Sequence, residues 1–244
     1  MSSVTNGLVL KVSDIGESDK VITLLTAEMG VIRAFANRAK KMNSNIRAAS
    51  QLLCYGEFTL YHGRDSYIIE NAVAKEVFFG LRSDIKKLAL AQYFCSLALE
   101  FVPEGEPAPD TLRLILNSLS YLQNGRRSPE FIKAVTELKL ISLAGYAPDV
   151  SACGACGKSF SGEAVFNVRT GKCYCPECSE NGMRISPGVI TAMQYVIFNG
   201  IDRIYSFSLP AANEKLFGRA AEDFLLFRTG KTFKALEFYK SVST

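Results

Sequence analysis

Four cysteines are spaced in a way that suits a single metal ion. Cys153 and Cys156 form one CxxC pair, and Cys175 and Cys178 form a second pair after eighteen intervening residues. A CxxC turn holds two thiolates about one ion's width apart, so two such turns supply a tetrahedral site. Soft thiolates favour Zn²⁺ or iron–sulfur chemistry over hard cations, and four protein ligands leave no open coordination position. The spacing therefore predicts one structural Zn²⁺ ion in a zinc ribbon.

Other interpretations of the cysteines remain open. Cys173 lies two residues before Cys175 and could replace it as a ligand, although Cys173 and Cys178 would not form a CxxC pair. A redox site or simply free thiols are the other possibilities. A thioredoxin-like CxxC follows a strand and opens a helix, and neither pair has that setting. Cys54 and Cys95 lie in apolar surroundings and are expected in the core.

A basic segment without any acidic residue runs from residue 29 to residue 56. Lysine and arginine beside small polar residues suit contacts with phosphates, and aromatic side chains of a small barrel could stack on bases. The alternative is a solvated loop that only keeps the domain soluble. The candidate phosphate contacts are Arg33, Arg38, Lys40, Lys41 and Arg47, and the candidate stacking residues are Phe35, Tyr55 and Phe58.

The sequence gives little support for a catalytic site. His62 is the one histidine in the sequence, and it falls in a predicted turn at residues 62–65. Gly230, Lys231 and Thr232 superficially match the end of a P-loop, but the required earlier glycine is Leu225 and no strand precedes it. No pair of carboxylates is placed for acid–base chemistry. We therefore expect neither an enzyme nor a small-molecule substrate.

Short runs of β-branched and aromatic residues characterise the first 80 residues. We predict strands at 8–12, 21–25, 31–35, 53–61 and 66–69, with a tight turn at 28–30, because glycine, aspartate and asparagine separate these runs. Five short strands of this kind predict a small barrel.

Helical periodicity begins after residue 81. The first helix is predicted from an N-cap at Ser83 to about residue 101, and the prolines at 103–109 separate it from a second helix that ends near residue 124. Ser128 and Pro129 open a third helix that Gly145 ends, and another runs from 186 to 198. One or two more are expected between 212 and 239, and a small hairpin between the two cysteine pairs.

Composition places few limits on function. The chain has 244 residues, 48% of them hydrophobic, and a formal net charge of +4, which does not by itself imply nucleic acid. We see no secretory signal and no apolar stretch long enough for a membrane span. The sequence is therefore expected to be soluble and cytoplasmic, without a membrane partner.

Three motifs resemble those of the RecO family of bacterial recombination mediators. The first comprises GLVL at 7–10 and GESDKVITLLTAEMG at 16–30, where the family has a G-E-x-D-x-I/V turn and then an L-x-T-x-E-x-G strand and turn. The second is the basic run ANRAKK at 36–41. The third is GYAP at 145–148, which leads into CGACG at 153–157. The resemblance covers essentially the whole chain.

The resemblance implies an α+β multidomain fold. It comprises an N-terminal OB-fold barrel at 1–80, a helical domain at 81–148 and 183–244, and an inserted zinc ribbon at 149–182. It also implies a recombination mediator in DNA repair, associated with the nucleoid, that makes no covalent change to its substrate. Such a protein binds single- and double-stranded DNA, anneals complementary strands, and acts with RecR to load RecA onto strands coated by single-strand-binding protein. Arg38, Lys40, Lys41 and Arg47, with Arg33 nearby, fall on the stretch that would contact DNA.

One residue departs from the family pattern, and two other functions fit parts of the sequence. The family often has glycine where Arg38 stands, which raises the question of how this loop bends. An RNA-binding OB-fold protein would share the barrel and the basic segment. An adaptor whose ribbon and helices bind only protein would leave the barrel inert. Binding of RNA and DNA oligomers separates these functions.

Overall fold

The computed structural model describes residues 2–41, 44–63 and 66–243. Arg64 and Asp65 of the predicted turn, and Asn43 of the basic segment, lie outside the described residues. The chain divides into two compact units, the first formed by Met1–Asn124 with Lys234–Thr244 and the second by Gly125–Phe233. The domain boundaries predicted at residues 80, 148 and 182 stay predictions.

Eight strands and six helices form within the described residues. The strands are β1 (Ser2–Ile15), β2 (Asp19–Thr26), β3 (Gly30–Ala36), β4 (Tyr55–His62), β5 (Tyr67–Glu76), β6 (Ala164–Asn167), β7 (Lys172–Tyr174) and β8 (Met183–Ile185). The helices are α1 (Ile85–Phe101), α2 (Pro109–Asn124), α3 (Pro129–Ile141), α4 (Pro187–Phe198), α5 (Ala211–Thr229) and α6 (Lys234–Ser243). None of these helices combines the length and the apolar content needed to cross a membrane.

The first five strands close into a barrel. Their order is β1-β2-β3-β5-β4, and β4 pairs back onto β1. The pair β3–β5 is parallel and the other pairs are antiparallel. This is the OB fold, and its interior is filled by residues that include Val9, Ile22, Leu24, Ile32 and Phe58. The predicted fold class is confirmed, because barrel, helices and a four-cysteine cluster are all present.

Two barrel strands are much longer than predicted. β1 begins at Ser2 rather than near residue 8, and β5 continues to Glu76 rather than residue 69. The extra residues of β1 pair with β4, from Ser2 opposite Tyr61 to Leu8 opposite Tyr55. Backbone pairing with a neighbouring strand holds these polar residues in the sheet, and the apolar pattern of the sequence gives no sign of it.

Helices α1, α2 and α6 complete the first unit, with α6 packed on α1. The predicted N-cap of α1 was wrong by one residue. Asp84 is the cap, since its Oδ1 accepts hydrogen bonds from the backbone N–H groups of Lys86 at 2.9 Å and Lys87 at 3.2 Å. The hydroxyl of Ser83 instead donates to the carbonyl oxygen of Gly80. A carboxylate at this position also suits the positive end of the helix dipole.

Helix α3 is the centre of the second unit. Every residue from Phe131 to Ile141 is buried, because the helix packs against both α4 and α5. Ser128 caps this helix and Ser186 caps α4, each with a proline next to it, as predicted. The predicted one or two C-terminal helices are two, α5 and α6, with Gly230 in the left-handed conformation at the end of α5.

The second unit also contains a small antiparallel sheet in the order β7-β6-β8. The hairpin predicted between the cysteine pairs is β6–β7, and β8 is a third strand that was not predicted. Phe166 of β6 is fully buried, and its ring centroid lies 5.7 Å from that of Phe224 of α5. The sheet is therefore packed against a helix, so the cysteine loops stand on an ordered support.

Candidate metal centre and nucleic-acid interface

The four predicted metal ligands lie together. The sulfur atoms of Cys153, Cys156, Cys175 and Cys178 are all within 4.8 Å of one another, and those of Cys156 and Cys175 are 3.9 Å apart. A tetrahedron of sulfurs about 2.3 Å from a zinc ion has edges of about 3.8 Å. The four cysteines are therefore close enough to bind one metal ion, and the donor set fits Zn²⁺.

Backbone hydrogen bonds shape the two cysteine loops. The N–H of Gly157, at φ 72°, donates to the carbonyl of Cys153 over 2.9 Å, and the N–H of Cys178 donates to the carbonyl of Cys175 over 2.9 Å. The N–H of Cys175 donates to the sulfur of Cys153 over 3.3 Å, which links one loop to the other. These backbone hydrogen bonds thus fix the turn conformation of both cysteine loops.

The electrostatics of the cluster favour a cation. Backbone N–H groups of Cys156 and Cys175 donate to the sulfur of Cys153 and lower its pKa to about 6. The neighbouring thiols of Cys156 and Cys153 raise the pKa of Cys178 to about 12. Four thiolates this close repel one another, and a divalent cation among them removes that repulsion.

Cys173 is not part of this group. It is fully buried in β7, where it pairs with Phe166, and burial raises its pKa to about 12. Cys54 and Cys95 are also buried, as expected, and burial raises their pKa values to about 11 and 12. These three thiols belong to the hydrophobic core. That Cys175, rather than Cys173, is the metal ligand stays a prediction.

The outer surface of the barrel carries basic and aromatic side chains on adjacent strands. Lys11, Thr23 and Arg33 are cross-strand partners, and the neighbouring row consists of Ser13, Val21 and Phe35. We call these two rows the outer face. Lys11 and Arg33 are exposed, and no ion pair involves them within the described part of the chain. Phe35 is 40% exposed.

The basic run is fastened to the turn between β1 and β2. The N–H of Arg38 donates to Oδ1 of Asp19 over 2.7 Å, which helps lower the pKa of that carboxyl. The N–H of Lys40 donates to the carbonyl of Ser18 over 3.0 Å, and its ammonium donates to the carbonyl of Gly16 over 3.2 Å. Two of the three sequence motifs are therefore in direct contact, and the first one positions the second.

The basic side chains of this segment differ in whether they already form ion pairs with acidic residues of the protein. Lys40 lies 3.3 Å from Asp14 and its side chain is 28% exposed, so part of its charge is neutralised. Lys41 and Arg47 are exposed and form no ion pair with any residue that the structure describes. Arg38 has φ 56°, the left-handed conformation in which glycine is favoured. The backbone of Arg38 thus has the left-handed conformation that a glycine at this position would readily take.

Apolar residues anchor the rest of the segment between β3 and β4. Ala39, Ile46, Ala49 and Leu53 are all buried. Exposed basic side chains and buried apolar ones thus share one stretch of chain. The described basic residues of this segment therefore lie next to side chains that are buried in the first unit, and their role in binding phosphates stays a prediction.

One predicted stacking residue was wrong and one basic residue was missed. Phe58 is fully buried in the barrel and cannot stack on a base, whereas Tyr55 is half-buried. The alternation of Gly56, Phe58 and Leu60 with polar neighbours was a signal that Phe58 points inward. Lys11 was missed because its place in the same cross-strand row as Arg33, with Thr23 between them, depends on strand register.

The two motifs that we rejected as catalytic, at His62 and at Gly230, have structural roles. His62 stacks on Tyr67, with ring centroids 4.8 Å apart. Gly230 ends α5, and its N–H donates to the carbonyl of Leu226. Neither residue lies in a phosphate-binding loop.

Comparison with known proteins agrees with this architecture. The family description "Recombination protein O N terminal" matches residues 1–78, and "Recombination protein O C terminal" matches residues 82–237. A protein of Acetivibrio thermocellus named "DNA repair protein RecO" is 32% identical over 241 residues, which are 98% of this chain and 96% of that one. The protein of the same name from Symbiobacterium thermophilum is 30% identical over 96% of this chain and 94% of its own length. The chain belongs to the RecO family.

Proposed function

We propose that this protein is a recombination mediator in DNA repair and not an enzyme. It binds single- and double-stranded DNA, anneals complementary strands, and acts with RecR to load RecA onto strands coated by single-strand-binding protein. The family membership supports the role in repair, since the relatives are named DNA repair proteins. Localisation with the nucleoid follows from this role.

One observation carries the proposal that DNA is the ligand. The outer face combines exposed basic side chains, Lys11 and Arg33, with the exposed ring of Phe35, and Lys41 and Arg47 are exposed on the neighbouring segment. Basic groups neutralise phosphates without regard to sequence, and an aromatic ring stacks on any base. A rigid barrel surface of this composition suits a nucleic-acid strand better than it suits a protein partner.

The same surface supports the proposed annealing activity. Two DNA strands repel one another through their phosphates, and the basic side chains reduce this repulsion when both strands lie near them. The protein's residues then hold the strands together, and base pairing itself supplies the free energy of annealing. No covalent chemistry is needed, which agrees with the expectation that the protein is not an enzyme.

We propose Zn²⁺ as the ion held by Cys153, Cys156, Cys175 and Cys178. Four thiol sulfurs within 4.8 Å of one another suit zinc, and a site with four protein ligands leaves no position for a substrate. The ion would cross-link the two cysteine loops and stabilise the insert. Its role is therefore structural.

The test of DNA binding is the affinity for a fluorescent single-stranded oligomer measured against salt concentration. If Lys11 and the five predicted side chains Arg33, Arg38, Lys40, Lys41 and Arg47 each neutralise one phosphate, the log–log slope is about −4.2, at roughly −0.7 per contact. The Lys40→Ala/Lys41→Ala variant should weaken binding and make the slope shallower by at most about 1.4, because Asp14 already neutralises part of the Lys40 charge. Adding RNA of the same sequence as a competitor distinguishes a DNA-binding protein from an RNA-binding one.

A matched control removes two charges elsewhere in the first unit. Lys75, whose ammonium is engaged by Asn6 and Glu57, and the exposed Lys86 suit this purpose, so Lys75→Ala/Lys86→Ala should change the slope far less. Equal effects of the two double variants would refute the assigned position of the site. Absence of binding at low salt would place the protein among adaptors that bind only protein.

A further inference from the structure

A groove of about 600 Å³ opens on the outer face of the barrel, which supplies part of its lining. This volume lies within the range of clefts that bind small ligands, about 300–1,000 Å³. Its walls include one apolar, three aromatic or heteroaromatic, and two charged side chains: Ile15, Phe35, His62, Tyr67, Arg33 and Glu104. They come from β1, β3, β4, β5 and the segment after α1, all in the first unit.

Aromatic rings in this groove are available to a flat ligand. Phe35 is 40% exposed although its neighbours Ala34 and Ala36 are fully buried. His62 and Tyr67 form a tilted pair with a centroid distance of 4.8 Å and an angle of 38°, so the exposed ring of Phe35 is the one that a flat ligand would meet. Stacking on such a ring stabilises a bound nucleobase. A base inside a double helix is already stacked on both sides, so the groove suits an unpaired base.

The charged groups of the groove indicate which edge of a base it would bind. A carboxylate such as that of Glu104 accepts hydrogen bonds and donates none. The Watson–Crick edge of guanine presents a ring N–H and an amino N–H side by side, which match the two oxygens of a carboxylate. Adenine, cytosine and thymine each lack this pair of adjacent donors. In a duplex these groups are engaged by cytosine, so Glu104 can reach them only in a single strand.

We propose that the groove is a subsite for one unpaired guanine of single-stranded DNA. Phe35 stacks on the base, Glu104 accepts hydrogen bonds from its Watson–Crick edge, and Arg33 contacts the adjoining phosphate. The inference rests on the proposed DNA binding and extends it by naming the base and the strand state. A base held in this way is withheld from its complement until it leaves the groove.

The first test compares three oligomers of thymidine that differ at one central position. The full-length protein should bind the oligomer with a central guanine about tenfold more tightly than the one with thymine. Inosine, which lacks the amino group of guanine, should fall between them. Glu104→Gln should abolish the guanine preference, whereas Glu106→Gln, a change in the same exposed segment outside the groove wall, should keep it. Equal affinities of the wild-type protein for guanine and thymine would overturn the assignment of the base.

The second test concerns the strand state. Phe35→Ala should weaken binding of single strands about tenfold and duplex binding far less, because a paired base is already stacked on both sides. Phe79→Ala serves as the control, because Phe79 is 68% exposed and does not line the groove. Unchanged single-strand affinity of the Phe35 variant would overturn the subsite while duplex binding still supports the proposed function. A wild-type protein that binds neither strand form would instead refute the proposed function.

Discussion

Cys173 and Cys175 are two residues apart, yet only the second lies among the four clustered thiols. We expect Cys175→Ser to bind zinc at least tenfold more weakly, because hydroxyl oxygen is a poor substitute for thiolate. Cys173→Ala is the matched control and should keep one zinc per chain. Zinc content after equilibration with a competing chelator measures both. Retained zinc in the first variant, together with loss in the second, would mean that Cys173 is the ligand.

The residues of the metal cluster could be predicted from spacing alone, whereas those of the outer face could only be predicted in part. A CxxC pair is a local feature, so its geometry follows from adjacent residues. The placement of Lys11 in one row with Thr23 and Arg33 depends on the pairing of β1 with β2, and that pairing shifts register between Val9 and Lys11. An irregularity of this kind leaves no mark in the sequence, and it changes which side chains are neighbours.

The turn between β1 and β2 acts as a clamp on the basic run. Asp19 accepts the N–H of Arg38, so Asp19→Ala should loosen the run and weaken DNA binding although it removes a negative charge. Glu17→Gln removes the same charge from the exposed turn just before Asp19 and should strengthen binding slightly. Single-strand affinity at 0.1 M salt measures both variants. Tighter binding by the Asp19 variant would show that charge, rather than the position of the run, decides affinity.

The turn between β2 and β3 is held against the segment that follows α1. Gly30 has φ 60°, and a Cβ there would lie 2.4 Å from the carbonyl oxygen of Glu106 and 2.5 Å from that of Pro103. Gly30→Ala should therefore lower the free energy of unfolding by about 3 kcal/mol. Gly105→Ala, at φ 80° with open space around it, should lower it by only about 1 kcal/mol. Urea denaturation measures both, and equal losses would exclude the close approach as the cause.

At the scale of the whole chain, N-cap serines and the prolines after them made the starts of two helices predictable. Ser128, Pro129, Ser186 and Pro187 mark helix starts that the structure reproduces. Closure of the barrel was predictable from strand count, but the parallel pairing of β3 with β5 was not, because pairing between distant strands has no local sequence pattern. The packing of α6 on α1 could not be predicted either, since the two helices are far apart in sequence.

The division into two units predicts that metal binding and DNA binding respond separately to chelation. All four clustered thiols lie in Gly125–Phe233, whereas every proposed DNA contact lies in the other unit. Removal of zinc should lower the temperature at which the second unit unfolds, since a structural ion stabilises only the folded state that binds it. The affinity for single-stranded DNA should stay within about twofold of its original value.

Calorimetry and fluorescence anisotropy on the same chelated sample measure these two quantities, and added Zn²⁺ should restore the original unfolding profile. The Cys175→Ser variant provides the same comparison without chelator. A tenfold loss of DNA affinity in both samples would mean that the insert contributes to the DNA site. Basic residues of the second unit, such as Arg169 and Arg184, which are exposed on or beside the small sheet, would then be candidates for DNA contacts of their own.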